Sequence, residues 1–272
     1  MRHTLVTRGK PTLRIDARSI VPATLCALSR EELLRTLLPH GREAVPIGEW
    51  FEVRSESADD AQPWLRLEGE LARFDHLGAG MAAGILELHG SVGDGVGIGM
   101  SGGTLRVDGS AGALAGCAMS GGWLEVIGDV ADFAASALPG EMEGMRGGTL
   151  LVHGRAGARL ADRMRRGTVA VHGDAGEFLA SRMVAGTVAI GGACGPHPGW
   201  GMRRGTLVFA AKAPPPPSTF VAVLSDADVI WQLLARDLER FGGPFDGLAR
   251  RAIRRWAGDL AVQGKGEWLA PH

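Results

Sequence analysis

Seven arginines are placed to work together as a binding surface for anions. Arg163 and Arg182 stand immediately before a methionine, Arg146, Arg165 and Arg203 immediately after one, and Arg166 and Arg204 follow next. A planar guanidinium pairs a carboxylate through two hydrogen bonds, so a row of them suits a flexible polyanion or an acidic protein face. Charge is unevenly spread along the chain. Residues 77–139 hold one base, Arg106, against six acids, whereas 140–212 hold ten bases against five acids.

Histidine and cysteine offer weaker chemistry. His89, His153 and His172 each stand eight residues after a methionine, and Asp108 occupies the same place in another segment. Two neighbouring histidines make a metal site only with a third ligand from elsewhere, so the expected reading is a surface or interface row and no metal is assigned. The three cysteines, Cys26, Cys117 and Cys194, form no CxxC pair and no Cys/His cluster, which argues against an iron–sulfur cluster or structural zinc. No Ser/His/Asp or Cys/His arrangement is visible, and no catalytic residue is assigned.

These positions recur because the chain repeats. Met81, Met100, Met119, Met145, Met164, Met183 and Met202 are spaced by 19, 19, 26, 19, 19 and 19 residues. A glycine follows each by three residues, from Gly84 to Gly205, and another follows six of them by nine, with Ala211 the exception. The long step holds a seven-residue insertion within Ala134 to Met142. The fifth and seventh residues after each methionine are always apolar, as in Leu105 and Val107 or Val169 and Val171. That period of two predicts one short strand per unit with one buried face. A 19-residue unit is too short for a helix pair or a propeller blade and suits one coil of a solenoid. The chain is therefore expected to be mainly β, a right-handed parallel β-helix of about seven 19-residue coils. Stacked coils align equivalent side chains about 4.8 Å apart. The methionines become an inward row and the arginines an outward stripe. A left-handed hexapeptide helix, which needs three near-identical hexads per coil, fits less well.

Three segments follow: a small α+β cap over 1–60, the repeat over 61–212, and a Pro-rich spacer with C-terminal helices over 213–272. Ser29 followed by Glu32, Leu33, Leu34, Leu37 and Leu38 predicts a capped amphipathic helix. Residues from Pro46 to Val53 read as a turn into a strand, and Trp64 to Gly69 as an atypical first coil covering the open end. After Pro214–Pro217, a helix capped within Ser225–Asp228 is expected to run to about Phe241. Its apolar face would be Val229, Ile230, Leu233, Leu234 and Leu238. A second helix over Phe245 to Ala257 would carry Arg250, Arg251, Arg254 and Arg255 on a solvated face.

Composition narrows the function. A formal net charge of −1 gives no footprint for nucleic acid. No apolar run of eighteen residues appears, the N-terminus lacks a leader-like apolar core, and unpaired cysteines suit a reducing compartment. A cytoplasmic protein is expected.

The coils resemble those of the C-terminal β-helix domain of glutamate synthase and of the C subunit of formylmethanofuran dehydrogenase. Three stretches favour the second family. They are the entry segment Val45 to Val53, the interrupted coil Pro139 to Gly148, and the tail Ala257 to Glu267. The resemblance implies a hetero-oligomer whose other members are a formyltransferase, an amidohydrolase-like chain and a chain like the molybdopterin enzymes. The redox and transfer chemistry would then reside on those partners. It also implies tetrahydromethanopterin-linked one-carbon metabolism and a furan carrier bearing polyglutamate. The Arg-rich composition leans towards the bacterial formyltransferase/hydrolase branch, which releases formate. This chain is then a non-catalytic scaffold with no cofactor of its own. Arg146, Arg163, Arg165, Arg166, Arg182, Arg203 and Arg204 become the expected contacts for the carrier's polyglutamylated, methanofuran-type chain. Competing expectations are a docking face for an acidic partner, a stand-alone metal-dependent β-helix enzyme using His153 and His172, and a structural module like that of glutamate synthase.

Overall fold

A computed structural model describes residues 2–57, 62–211, 213–223 and 228–271. The chain begins with strand β1 (Arg2–Thr7), a short β2 (Ile15–Asp16), helical turn α1 (Pro22–Leu25) and helix α2 (Arg30–Arg35). Strands β3 (Leu37–His40) and β4 (Glu43–Pro46), helical turn α3 (Ile47–Trp50) and strand β5 (Phe51–Glu56) complete the N-terminal part. Ser29 caps α2 as anticipated: its hydroxyl accepts from the Glu32 amide while the Glu32 carboxylate accepts from the Ser29 amide. The helix is shorter than its leucine pattern suggests. It ends at Arg35, and Leu37 and Leu38 belong to β3, which pairs antiparallel with β4.

The repeating region contributes β6 (Trp64–Glu68), a short β7 (Phe74–Asp75), β8 (Ile85–His89), β9 (Ser101–Val107) and β10 (Ser120–Val126). It continues with β11 (Arg146–Val152), β12 (Arg166–Val171), β13 (Thr187–Ile190) and β14 (Thr206–Phe209). The C-terminal part adds β15 (Val221–Ala222), helix α4 (Asp228–Glu239), β16 (Ile253–Gly258) and β17 (Gly266–Pro271). Among the described residues, thirteen strands form one sheet in the order β15-β16-β17-β14-β13-β12-β11-β10-β9-β8-β6-β1-β5. The chain is thus mainly β, with a large sheet that is parallel from β1 through β14 to β17 and antiparallel only at its ends.

Register is what the repeat period encodes. Leu86, Leu105, Leu124, Leu150, Val169, Val188 and Leu207 are direct partners from strand to strand, and their row continues into Leu65 at one end and Trp268 at the other. A second ladder of parallel bridges links Leu71, Val92, Ala111, Val130, Ala156, Ala175 and Cys194. Turn aspartates stitch successive units: the Asp94 carboxylate accepts from the Ala113 amide at 2.9 Å, Asp132 from Ala158 at 2.7 Å, and Asp174 from Ala193 at 2.8 Å. Acids that looked like an unbalanced charge field are in part backbone acceptors.

All seven marker methionines are buried. The methyl groups of Met81, Met100, Met145, Met164 and Met183 each lie over the glycine three residues after the next marker. A Cβ on Gly103 would lie 2.6 Å from the Met81 methyl, and one on Gly186 would lie 2.9 Å from that of Met164. These glycines also have left-handed backbone, φ +77° and +105°, which glycine adopts without steric penalty. The spacing of Met and Gly is therefore one packing contact, repeated.

The C-terminal part departs from expectation. Helix α4 buries Trp231, Ala235 and Leu238, spaced four and three residues apart, whereas Val229, Ile230 and Leu233 are 72%, 66% and 64% exposed. The buried face covers Leu151, Ala170, Ala189 and Val208, which point outward from β11–β14 and together with Phe241, Phe245 and Leu248 make a second core. The anticipated helix over 245–257 is absent. Gly242, Gly243 and Gly247 adopt positive φ, 3-10 turns occupy Gly243–Phe245 and Leu248–Arg250, and β16 follows. The reason is the sheet edge: β17 pairs with β14 and β16 pairs with β17, so the last repeat is not left as an open template. Arg251 donates to the Ala210 carbonyl instead of facing solvent on a helix. The expected cap Ser225–Asp228 falls on residues outside those described, except for the backbone of Asp228.

Met164→Ala should cost about 2–5 kcal/mol in urea unfolding, as for other buried truncations. Gly186→Ala should cost less in the Met164→Ala background than in the wild type, since the methyl it meets is then gone. Additive effects would contradict the Met–Gly contact.

Candidate functional site

The repeat positions fix the arginines. Arg146 opens β11 and Arg166 opens β12, and the two are register partners. Arg165 and Arg166, Val184 and Ala185, and Arg203 and Arg204 follow successive markers, so two arginine pairs flank a rung of small side chains. These six residues line a groove of about 400 Å³. The two pairs stand two rungs apart, about 9.6 Å. Arg165 is paired with Glu143, just after the insertion. Among the described residues Arg146, Arg166, Arg203 and Arg204 form no ion pair, so the groove presents guanidiniums without matching acids.

Arg163 and Arg182 precede their markers in left-handed backbone, φ 57° and 54°. Gly80, Gly99 and Gly201 hold the same place elsewhere, with φ between +65° and +68°. A side chain there costs on the order of 1 kcal/mol, which the surrounding structure must offset. The guanidinium of Arg182 forks onto Asp162, with its Nη2 2.7 Å and 2.9 Å from the two oxygens. Asp162 is nearly buried and also accepts from the Ser181 hydroxyl. Arg163 donates to the Glu141 carbonyl at 2.7 Å. Both arginines line a second cleft, of about 410 Å³, that shares Val184 and Arg203 with the first. Its other walls include Met142 and Trp200, and Asp259, Ala261 and Val262 from the turn before β17. The structure thus brings six of the seven expected arginines to two adjoining openings and leaves Arg146 one strand away.

The histidine row is occupied by local partners. His89 Nδ1 lies 2.9 Å from Asp108, and His153 Nε2 lies 2.8 Å from Glu125. His172 packs edge-on against His153, ring centres 4.6 Å apart, and its Nε2 donates to the Phe241 carbonyl at 2.9 Å. The outward row Arg66, Glu87, Arg106 and Glu125 alternates in sign, with pairs at 2.8 Å and 3.3 Å. Burial pushes the thiols of Cys117 and Cys194 up to about 11, which keeps both protonated and unreactive at neutral pH. Cys117 donates to the Phe133 carbonyl. Among the described residues no group of three His, Cys, Asp or Glu side chains converges as a metal site would require.

Two features escaped the sequence reading. The second cleft joins the insertion, three repeats and the C-terminal turn, which no local pattern connects. A row of planar side chains, Phe133, Arg159, Phe178 and His197, stacks beside it, with Arg159 4.7 Å from the Phe178 ring centre and Phe178 4.9 Å from His197. Its signal was present: Arg159, Phe178 and His197 each stand five residues before a marker methionine.

No known protein-family model matches the chain. Over 90 residues it is 40% identical to the C subunit of the formyltransferase/hydrolase complex Fhc of Methylorubrum extorquens, covering 33% of this chain and 32% of that one. Over 90 residues it is 32% identical to the C subunit of the molybdenum-containing formylmethanofuran dehydrogenase 1 of Methanosarcina barkeri, 33% of this chain and 30% of that one. These matches span about a third of the curated relatives' length. The crystal structure of the formyltransferase/hydrolase complex FhcABCD from Methylorubrum extorquens, in complex with methylofuran, contains a similar chain. It superposes with a TM-score of 0.90 at 39% identity over 99% of both chains.

Burial holds His172 and His3 below the ordinary histidine value of 6.5. The unfolded chain then takes up protons more readily, so stability falls as pH drops from 6.5 through the depressed folded values. The melting temperature should decline between pH 7 and pH 5. His172→Gln, which keeps an N–H for the Phe241 carbonyl, should flatten part of that decline. An unchanged slope would remove His172 as a cause.

Proposed function

The chain belongs to the C-subunit family of the formyltransferase/hydrolase and formylmethanofuran dehydrogenase complexes, and from that premise we propose that it is the non-catalytic scaffold of a formyltransferase/hydrolase complex. The observation that carries this is likeness over 99% of both chains, at 39% identity, to a chain of FhcABCD. The hydrolase branch is further supported by identities of 40% to the relative from the hydrolase complex and 32% to the relative from the dehydrogenase. Partners on this reading are a formyltransferase, an amidohydrolase-like chain and a chain like the molybdopterin enzymes, in tetrahydromethanopterin-linked metabolism that yields formate. The assembly is hetero-oligomeric and cytoplasmic. Among the described residues no helix is long and apolar enough to cross a membrane.

The scaffold is a right-handed parallel β-helix over 61–212, capped by 1–60 and closed by 213–272. Two ladders, one of strands and one of bridges, support it; from Leu86 and Val92 onward both step by 19 residues except for one shared 26-residue step across the insertion. Catalysis is assigned to the partners; His153 and His172 are engaged by neighbours, and the buried thiols of Cys117 and Cys194 are held protonated. The seven arginines are assigned to the polyglutamate chain of a methylofuran-type carrier. Guanidiniums flanking a small-residue floor suit an extended chain of carboxylates, which slides between contacts because each exposed pair is worth only about 0.2–1 kcal/mol.

Co-expression with the formyltransferase and the amidohydrolase-like chain should yield one copurifying complex. Replacing Arg165, Arg166, Arg203 and Arg204 with Ser should weaken polyglutamyl carrier binding on the order of tenfold, most visibly at low salt. Independent migration of the three chains would refute the scaffold role. Unchanged carrier affinity would remove the arginine assignment alone.

A further inference from the structure

One outward row serves neither the core nor the arginine groove. Phe133, Arg159, Phe178 and His197 stand at equivalent corners of four successive repeats, all in left-handed backbone with φ between 56° and 63°. The corner accepts glycine, as Gly95 shows with φ +73°, so side chains there are a choice that costs on the order of 1 kcal/mol each. The Arg159 guanidinium lies 5.9 Å from the Phe133 ring centre and 4.7 Å from that of Phe178, and His197 stacks on Phe178 at 4.9 Å. The closer separations match the spacing of about 4.8 Å between neighbouring strands. The planes therefore stack along the direction in which the strands succeed one another, with faces against faces and ring edges towards solvent. Phe133 is 38% exposed, and His197 is exposed as well. Carboxylates run beside the stack. Asp132 and Glu177 immediately precede Phe133 and Phe178, Asp129 and Asp174 stand three residues earlier, and all four are exposed. Each of the three aspartates gives one oxygen to a backbone amide of the next repeat, which leaves the other free to meet a partner. Among the described residues Asp129, Asp132 and Glu177 have no basic partner, and Asp174 has Arg155 at 3.8 Å. The strip thus sets four acids against Arg155 and Arg159, the second of which is held between rings. Such a surface repels acidic neighbours. It suits Lys and Arg, whose aliphatic stems cover ring edges while their heads reach the carboxylates. A helix presents one side chain per turn about every 5.4 Å, so a helix laid along the stack stays near the rungs, about 4.8 Å apart, over its whole length.

We propose that the strip of Phe133, Arg159, Phe178 and His197, with its flanking acids, is a docking surface for a basic helix of a partner chain, one that carries Lys or Arg once per turn. The inference rests on the scaffold reading and adds to it where one partner is held and by what chemistry. The strip and the arginine groove then sort their occupants by charge: the acidic, ring-edged strip takes a basic protein segment, and the basic groove takes carboxylates.

The test uses the full chain co-expressed with the three partner chains of the scaffold reading. A benzophenone-bearing phenylalanine in place of Phe178 should crosslink, on irradiation of the purified complex, to a helical partner segment with Lys or Arg once per turn. Glu177→Lys should weaken the hold on that partner on the order of tenfold at low salt, and Glu177→Gln less. Phe133→Ser with Phe178→Ser should weaken it on the order of tenfold at low and high salt alike. Arg166→Ser with Arg204→Ser should leave the crosslink in place. An assembled complex in which position 178 crosslinks to nothing, to an acidic segment or to a second copy of this chain would overturn the docking surface. So would a Glu177→Lys variant that holds its partner as the wild type does. The scaffold reading survives either result. If no partner chain copurifies with the wild type, the scaffold reading fails and this inference fails with it.

Discussion

The structure depends on backbone hydrogen bonds that join each residue to its equivalent one repeat later. Once that register is set, any side chain chosen at a repeat position is laid in a row, one rung above the last. The rows then acquire properties that no single side chain has. Inside, a thioether methyl over a glycine Cα becomes a contact repeated at Gly103, Gly122, Gly167, Gly186 and Gly205. At the turns, aspartates accept the amides of the following unit. Outside, guanidiniums two rungs apart become a groove. The insertion before Met145 is tolerated because it leaves at a turn and the register resumes with Leu124 opposite Leu150.

The outward face of the sheet is divided by one change of residue type. The row through Arg66, Glu87, Arg106 and Glu125 is charged and solvated, and its continuation through Leu151, Ala170, Ala189 and Val208 is apolar and covered by the C-terminal lobe. His153 and His172 stand at the seam, one bound to the last acid of the charged half and the other to the carbonyl of Phe241 in the lobe. The C-terminal turn that walls the second cleft is held to the last repeat by Asp259, whose carboxylate accepts from the Gly201 amide at 3.0 Å. The chain devotes many of its polar groups to its own register and gathers unpaired guanidiniums on one basic face.

Much of this was legible in the sequence because repeats convert spacing into position. The methionine row, the in-register strands, the capping box at Ser29 and the clustering of arginines are all consequences of local pattern. The C-terminal lobe was not, and the reason is physical. Residues 228–241 offer two apolar faces, and the helix buries Trp231, Ala235 and Leu238 because those meet the apolar half of the outward row. The sixth position after each marker announced that switch from charged to apolar. The strand at Ile253–Gly258 replaced an expected helix because β17, pairing on the last repeat, itself needs a partner, a demand imposed from far along the chain. The cleft at Trp200 joins segments from 142 to 262 and has no local signature.

The central claim is that the basic rows handle a carrier's anionic chain while the chemistry occurs on the partner chains. The most direct measurement is turnover by the assembled complex with a full-length carrier and with one stripped of its polyglutamate, comparing wild type with the Arg166→Ser, Arg204→Ser variant. The account predicts that the variant slows only the full-length carrier and handles the stripped one as the wild type does. Equal slowing of both carriers, or of neither, would contradict it.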